Sequence, residues 1–371
     1  MISLAAILLL VLLDMQNLFA GCRSVARATD ASSDDYTVVV PLYGDPRYFA
    51  NRAALEHERE RVLLAIDTSH ETMAHFADEL EAGGWRVHRS VSTRSLSALL
   101  ASALGSVTTT WAVRLDGDAA FAEPTGRAIA AAAASGADFF SVKVIPSRTR
   151  RLVEKLQAVE YGAAMLGRHH RPWLTSGACM IARTQAFATV LAHHSQWFLG
   201  EDIESGLIAR RLGLRVAHLD VHVRTDVPDS WRALYRQRRV WWAGCFRQTW
   251  VNLDHCLDDP ISLVYRVALV WLLLYGKIHA LATAERLLPL VILLYTGVLL
   301  VSNWSVRSRW MILYPYYALV QALVLPLVGL LEYVRVARAS GSLGRYRVPR
   351  RRRSVTTPAY ALSRCRSSSA P

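Results

Sequence analysis

Three apolar runs stop, one after another, at a proline or an aspartate, and this repetition constrains the fold more than any other feature of the chain. Thr37-Val38-Val39-Val40 ends at Pro41, Val62 to Ile66 ends at Asp67, and Trp111 to Leu115 ends at Asp116. Runs this short, rich in branched side chains, have the pattern of strands buried on both faces. Helical spacing fills the gaps, over Tyr48 to Glu60, Glu71 to Glu81 and Ser95 to Leu104. Buried strands alternating with helices predict an α/β domain over about residues 36–258, built on a mostly parallel sheet with helices on both faces. Sheets of that kind bind ligands beyond the carboxyl ends of their strands. Tyr43, Asp67, Asp116 and Asp118 stand at those ends.

Such a domain does not account for the whole composition. Hydrophobic residues make up 52% of the chain and the mean hydropathy is +0.19, so the flanks are the place to look for membrane segments. Residues 2–20 are apolar and unbroken from Leu4 to Leu13, although Asp14, Gln16 and Asn17 interrupt the second half. No Lys or Arg precedes the run, as a secretory signal would require. Leu18 to Cys22 resembles a lipoprotein cleavage site only in part, because Phe19 replaces a branched aliphatic. Arg23 and Arg27 follow, and the positive-inside bias then places the next domain in the cytosol. Residues 1–22 are therefore expected to be an uncleaved N-terminal anchor. A second apolar region, 261–334, holds three candidate segments at 262–283, 286–303 and 310–331. The first carries Arg266, Lys277 and His279, which makes it a poor span or a helix lying in the interface. Two spans and one interfacial helix would return the tail to the cytosol, whereas three spans would export it. The expectation is an integral membrane protein, of the plasma membrane, with a cytosolic catalytic domain.

The net charge of +13 does not point to nucleic acid. From Arg335 to the end there are ten arginines and no acidic residue, so the excess sits in one tail, 335–371, read as disordered. A basic stretch beside apolar helices is a topology signal and a contact for anionic lipid. The five cysteines form no CxxC pair, which excludes a disulfide scaffold and a zinc knuckle. Adjacent His169-His170 and His193-His194 cannot both face one metal, and His218 with His222 lacks the glutamate of a zinc protease. Surface or packing roles are expected for all of them.

Three motifs carry chemistry. In Arg114-Leu115-Asp116-Gly117-Asp118, carboxylates two residues apart at a strand end project to one side. They could clamp a hard divalent cation, Mg²⁺ or Mn²⁺, and leave positions open for phosphate oxygens; read alone, the motif is equally a solvated turn. In Gly200-Glu201-Asp202, Asp202 begins a helical run and could remove a proton from an acceptor hydroxyl, or simply cap the helix. In Gln237-Arg238-Arg239-Val240-Trp241-Trp242, arginines can hold a diphosphate and a tryptophan face can stack on a sugar. A basic amphipathic helix at a membrane surface has the same composition.

The order of these pieces resembles the processive family-2 glycosyltransferases, the group of cellulose and hyaluronan synthases, over about residues 36–258. Val39 to Tyr43 resembles the family's opening strand and loop, and Ser176 to Arg183 its segment near the acceptor. The resemblance implies a GT-A-like fold with membrane helices at both ends. It implies an inverting displacement on a nucleotide sugar, with UDP as the carrier, and a polysaccharide or other hydroxyl as acceptor. Asp67 would contact the base or ribose, Asp116 and Asp118 the diphosphate and metal, and Asp118 would be the more direct ligand. Asp202 would be the base; Arg238 and Arg239 would bind the donor, and Gln237, Trp241 and Gly177 the acceptor. Three departures stand out: Val240 where arginine usually precedes the tryptophan, Thr68-Ser69 after Asp67, and Arg94 in place of a lysine. The nearest rival reading is a lipid-directed transferase acting on ceramide or a polyprenyl phosphate. Too few spans for a polymer channel favour it, and a processive enzyme would need a homo-oligomer to build its route across the bilayer. A non-enzymatic basic protein that binds a membrane surface is the third reading.

Overall fold

The computed structural model describes residues 26–27, 30–91, 95–256, 288–306 and 308–348. The expected anchor at 1–22, the segment at 262–283 and the Arg350–Arg353 cluster lie outside them.

Nine strands form one sheet: β1 (Ala26–Arg27), β2 (Tyr36–Leu42), β3 (Val62–Asp67), β4 (Arg86–Ser90), β5 (Trp111–Leu115), β6 (Ala119–Phe121), β7 (Phe139–Pro146), β8 (Cys179–Arg183) and β9 (Val216–Thr225). Their order is β1-β9-β7-β8-β5-β2-β3-β4, with β6 paired to β9 off this path. The expected parallel core is present in β5-β2-β3-β4. β8 runs antiparallel between β5 and β7, and β6 runs antiparallel to β9. β2 continues through Pro41 instead of stopping there. Its pairing to β5 ends at Val39, so the missing N–H of Pro41 falls where no partner needs it.

Alternation along the strands builds two cores. Val38, Val40, Leu64, Ile66, Val113 and Leu115 face α1 (Glu71–Ala82), α3 (Thr125–Ser135) and α4 (Leu152–His170). Val39, Leu63, Ala65 and Ala112 face α2 (Leu96–Leu104), α5 (Thr184–Ala192) and α6 (Glu201–Arg211). The helix expected over Tyr48 to Glu60 is instead broken into two 3₁₀ turns and one α turn. Glu58 leaves helical geometry to accept hydrogen bonds from the Tyr36 hydroxyl at 2.8 Å and Thr125 Oγ1 at 2.9 Å.

Beyond the sheet, α7 (Trp231–Phe246) is capped by Ser230 and runs into a π turn, Arg247–Val251. α8 (Leu288–Ser302) and α9 (Tyr314–Ser340) follow, and α9 lies along α7. The approach is close: a Cβ on Gly329 would come within 2.5 Å of Trp242 Cβ. Among the described residues no helix is long and apolar enough to cross a membrane. The 15 residues of α8 rise about 22 Å, against a hydrocarbon core of about 30 Å. The expected 310–331 segment splits into a 3₁₀ turn, Arg309–Ile312, and part of α9. The disorder expected from 335 does not hold for 335–348: α9 runs on to Ser340, the chain turns at Gly341 (φ +63°), and Tyr346 and Val348 are buried in the core with α2 and α5.

Candidate active site

The antiparallel β8 assembles the site. Leu115 lies opposite Cys179, so the turn before β8 folds over the end of β5, and the Asp116 N–H donates to the Ala178 carbonyl at 3.1 Å. The next residue back is Gly177. Its N–H donates to Asp202 Oδ2 at 3.0 Å, and a Cβ there would sit 3.3 Å from Asp116 Oδ2. The Asp-x-Asp and Gly-Glu-Asp motifs thus meet across one glycine. Any side chain at 177 would wedge their carboxylates apart.

The Asp-x-Asp turn is fixed from behind by Asn51, whose amide donates to the carbonyls of Asp116 and Ala119. Gly117 has to be glycine, since a Cβ would fall 2.2 Å from the Tyr48 carbonyl oxygen. Asp118 is exposed, and its Oδ1 accepts from Thr225 Oγ1 at 3.3 Å. Asp202 stands in the first turn of α6, where Thr175 Oγ1 donates to its carbonyl.

Arg114, unassigned in the sequence reading, is the charge hub. It is 1% exposed and holds Glu201 in a two-pronged bridge, Nη1 to Oε2 at 2.8 Å and Nη2 to Oε1 at 2.6 Å. Its Nη2 also lies 3.5 Å from Asp116 Oδ1. One guanidinium therefore holds two carboxylates, and its charge also acts on a third, Asp202. Burial favours the neutral form of Glu201, but Arg114 outweighs it and lowers the pKa of that acid. Asp116 is pushed up to about 7, first by burial against the pull of Arg114, then by repulsion from Asp118, Glu201 and Asp202. Asp202 is raised by burial and by Glu201, and Asp118, open at its surface yet partly desolvated by the groups around it, is raised too. This excess of negative charge suits a divalent cation. Among the described residues no group of three or more His, Cys, Asp or Glu is arranged to hold a metal. Asp116 and Asp118 fit a cation that takes its other oxygens from water and a diphosphate.

The third motif lines α7. Arg238, 2% exposed, donates to Glu160 of α4 at 2.7 Å and to Gln237 Oε1 at 2.6 Å, and lies 3.9 Å from the ring centre of Trp241. Trp241 is 44% exposed and tilts against Tyr161, with ring centroids 6.4 Å apart. Arg239 points elsewhere, to Glu332 on α9 at 3.5 Å. Asp67 ends β3 at 2% exposure, with its Oδ1 accepting from the Ser69 N–H at 2.9 Å. It stands two strands from β5.

α7 also braces the start of α6. Gly200, at φ +68°, caps α6 and lies against Gly244: a Cβ on Gly244 would come 2.8 Å from Gly200 N. Gln248 donates to the Gly200 carbonyl at 2.9 Å, and fully buried Arg247 pairs with Glu204. His194 packs on the same carboxylate at 3.4 Å. The expected packing roles of the histidines hold for this one, and for His218, which is stacked on His169 with centroids 5.0 Å apart.

Residues 111–331 match the family described as glycosyl transferase family group 2. No curated protein matches the chain. A mannosyltransferase from Pyrobaculum calidifontis, solved with GDP-Man and Mn²⁺, superposes with a TM-score of 0.56 at 17% identity, covering 88% of this chain and 99% of that one. The TarS 1–349 structure from S. aureus with UDP-GlcNAc covers 83% of this chain and 92% of its own, at 13% identity and a TM-score of 0.41. The first likeness supports the GT-A fold.

Proposed function

Belonging to glycosyl transferase family group 2, this chain is a nucleotide-sugar glycosyltransferase, and we propose that it works by inverting displacement with Asp202 as the base. The observation that carries this reading is the meeting of Asp116 and Asp202 at Gly177. One carboxylate stands where a leaving diphosphate would be held, and the other beside the attacking hydroxyl. The acceptor oxygen attacks the anomeric carbon, its proton passes to Asp202, and the bond to the nucleoside diphosphate breaks. Raising the Asp202 pKa by burial makes it a better proton acceptor than an exposed aspartate. Asp118 and Asp116 would hold a Mg²⁺ or Mn²⁺ ion, which when bound would neutralise charge on the diphosphate. Arg238 is braced by Glu160 and backs Trp241, whose open ring offers a platform for a sugar.

UDP remains the proposed carrier; the mannosyltransferase of the same fold holds GDP-Man, so guanosine donors belong in the same screen. The proposal also places the enzyme at a membrane, with its catalytic domain in the cytosol. Supporting this, Tyr316, Val320, Val324, Leu327 and Leu331 form an exposed stripe on α9 at helical spacing, close to Arg335 and Arg338. That stripe favours a second reading of the acceptor as a lipid-linked molecule instead of a growing polysaccharide. The test is nucleoside diphosphate release by protein in detergent, with UDP- and GDP-sugars and either cation. Metal-dependent release by wild type, lost in Asp118→Asn and Asp202→Asn, is expected. Release that survives Asp202→Asn would remove Asp202 as the base.

A further inference from the structure

α4 presents a guanidinium that the displacement above does not use. Arg168 lies seven residues beyond Tyr161, two helical turns along the same face. Its Nη1 donates to the Val142 carbonyl at 3.4 Å and approaches Met165 Sδ at 3.4 Å. Among the described residues it makes no other hydrogen bond, and no carboxylate lies within ion-pair distance. Val142 is one step past the Ser141–Met180 pair of β7 and β8, level with Cys179. Arg168 therefore reaches the turn that holds Gly177 against Asp202, on the base's side of the site.

Arg168 is partly open to solvent and lacks a counter-ion, so its fork of N–H donors can take an anion that supplies the missing charge. The groups packed around it push its pKa down to about 10, with Asp202 and Tyr161 offsetting only part of the effect. The field of Arg168 reaches its neighbours. His218 is pushed down to about 3, first by burial and then by Arg168, His169 and Lys143. Arg168 and Lys143 both repel the imidazolium, and the same field attracts an oxyanion. Arg114, Arg238 and Arg247, the buried arginines near the site, are already paired with Glu201, Glu160 and Glu204.

We propose that Arg168 binds a phosphate carried by the acceptor, placed beside the hydroxyl that Asp202 deprotonates. The proposal rests on Asp202 as the base, and no bond at this phosphate is made or broken. A planar fork of N–H donors suits a phosphate monoester or diester. The donor diphosphate is the other source of such oxygens, and the experiment separates the two.

Full-length protein in detergent, loaded with Mg²⁺ and UDP or GDP, would be titrated calorimetrically with glycerol 1-phosphate and, as control, glycerol. Wild type, Arg168→Gln, Arg168→Lys and Asp202→Asn would be compared, each first checked for an unchanged melting temperature. Expected is binding of glycerol 1-phosphate but not glycerol, weakened at least tenfold in Arg168→Gln and largely restored in Arg168→Lys. Nucleotide affinity should be unchanged in both. Asp202→Asn should bind glycerol 1-phosphate at least as tightly as wild type whether or not Asp202 is the base, since it removes a negative charge near Arg168, so that failure of transfer in this variant bears on the base alone. Loss of nucleotide affinity in Arg168→Gln would assign the guanidinium to the donor and overturn the proposal. Equal glycerol phosphate binding in wild type and Arg168→Gln would overturn it too.

Discussion

Replacing Arg114 with methionine should damage the protein far more than replacing its partner Glu201 with glutamine. The bridge is two-pronged, at 2.8 and 2.6 Å, with the arginine side chain 2% and the glutamate side chain 11% exposed. Arg114→Met leaves Glu201 charged, nearly dry and beside Asp116 and Asp202 with no cation among them. Breaking a buried pair in this way costs about 3–5 kcal/mol. Glu201→Gln leaves Arg114 its contact with Asp116, keeps the shape and should cost about 1–3 kcal/mol. The double variant strands neither charge on the other, so its cost should fall below the sum by about 2 kcal/mol. For a domain of this size, a loss of 3–5 kcal/mol lowers the melting temperature by roughly 6–20 °C. Thermal melts of the four proteins, followed by tryptophan fluorescence, measure the cycle. An Arg114→Met cost under about 1 kcal/mol, or additivity within about 0.5 kcal/mol, would refute the hub.

Two further outcomes follow from the packing. Gly244→Ala puts a methyl 2.8 Å from Gly200 N and 2.9 Å from its Cα, backbone atoms that can yield only by moving the start of α6. Turnover should fall by about 10- to 100-fold with a smaller change in KM for the donor; unchanged turnover would show that this contact does not set the position of Asp202. His218 refuses a proton down to about pH 3 in the folded state, whereas the unfolded chain takes one near 6.5. Between those values the unfolded state binds more protons, so stability is lost as pH falls, by about 1.4 kcal/mol per pH unit from this group. His218→Gln should flatten that slope between pH 6 and 4 in urea titrations, and an unchanged slope would assign the acid sensitivity elsewhere.

The sheet was legible because β2, β3 and β5 are buried on both faces and read as unbroken apolar runs. β8 was harder to place: Cys179 to Arg183 is just as buried, but nothing local says that it runs antiparallel beside β5. That pairing is what carries Gly177 to Asp116. Of the site, Asp116 and Asp202 stood out in their motifs, each with a bland reading beside it, a solvated turn and a helix cap; only the fold brings them together at Gly177. Arg114 carried a signal that was passed over, a charge inside the apolar run Trp111 to Leu115, which demands a buried partner. Arg168 carried none: on its own it is one basic residue near the end of a helix, and its lack of a partner exists only in three dimensions. Arg239 was assigned by proximity in sequence to Trp241, but helical geometry sends adjacent residues to different faces, and α9 receives it.

The return of residues 344–348 bears on when during synthesis the enzyme matures. The Gly344 carbonyl accepts from Arg247 at 3.1 Å, and the Tyr346 hydroxyl donates to Gln248 at 2.8 Å, the two residues that brace Gly200. A ribosome delivers Gly200 long before Tyr346. While α7 to α9 are still being made, the loop ahead of Asp202 lacks its last lock. A nascent chain stalled before residue 344 should hold a folded sheet that turns over little or no sugar. Activity would then begin only after the C-terminal helices have emerged and found their seats.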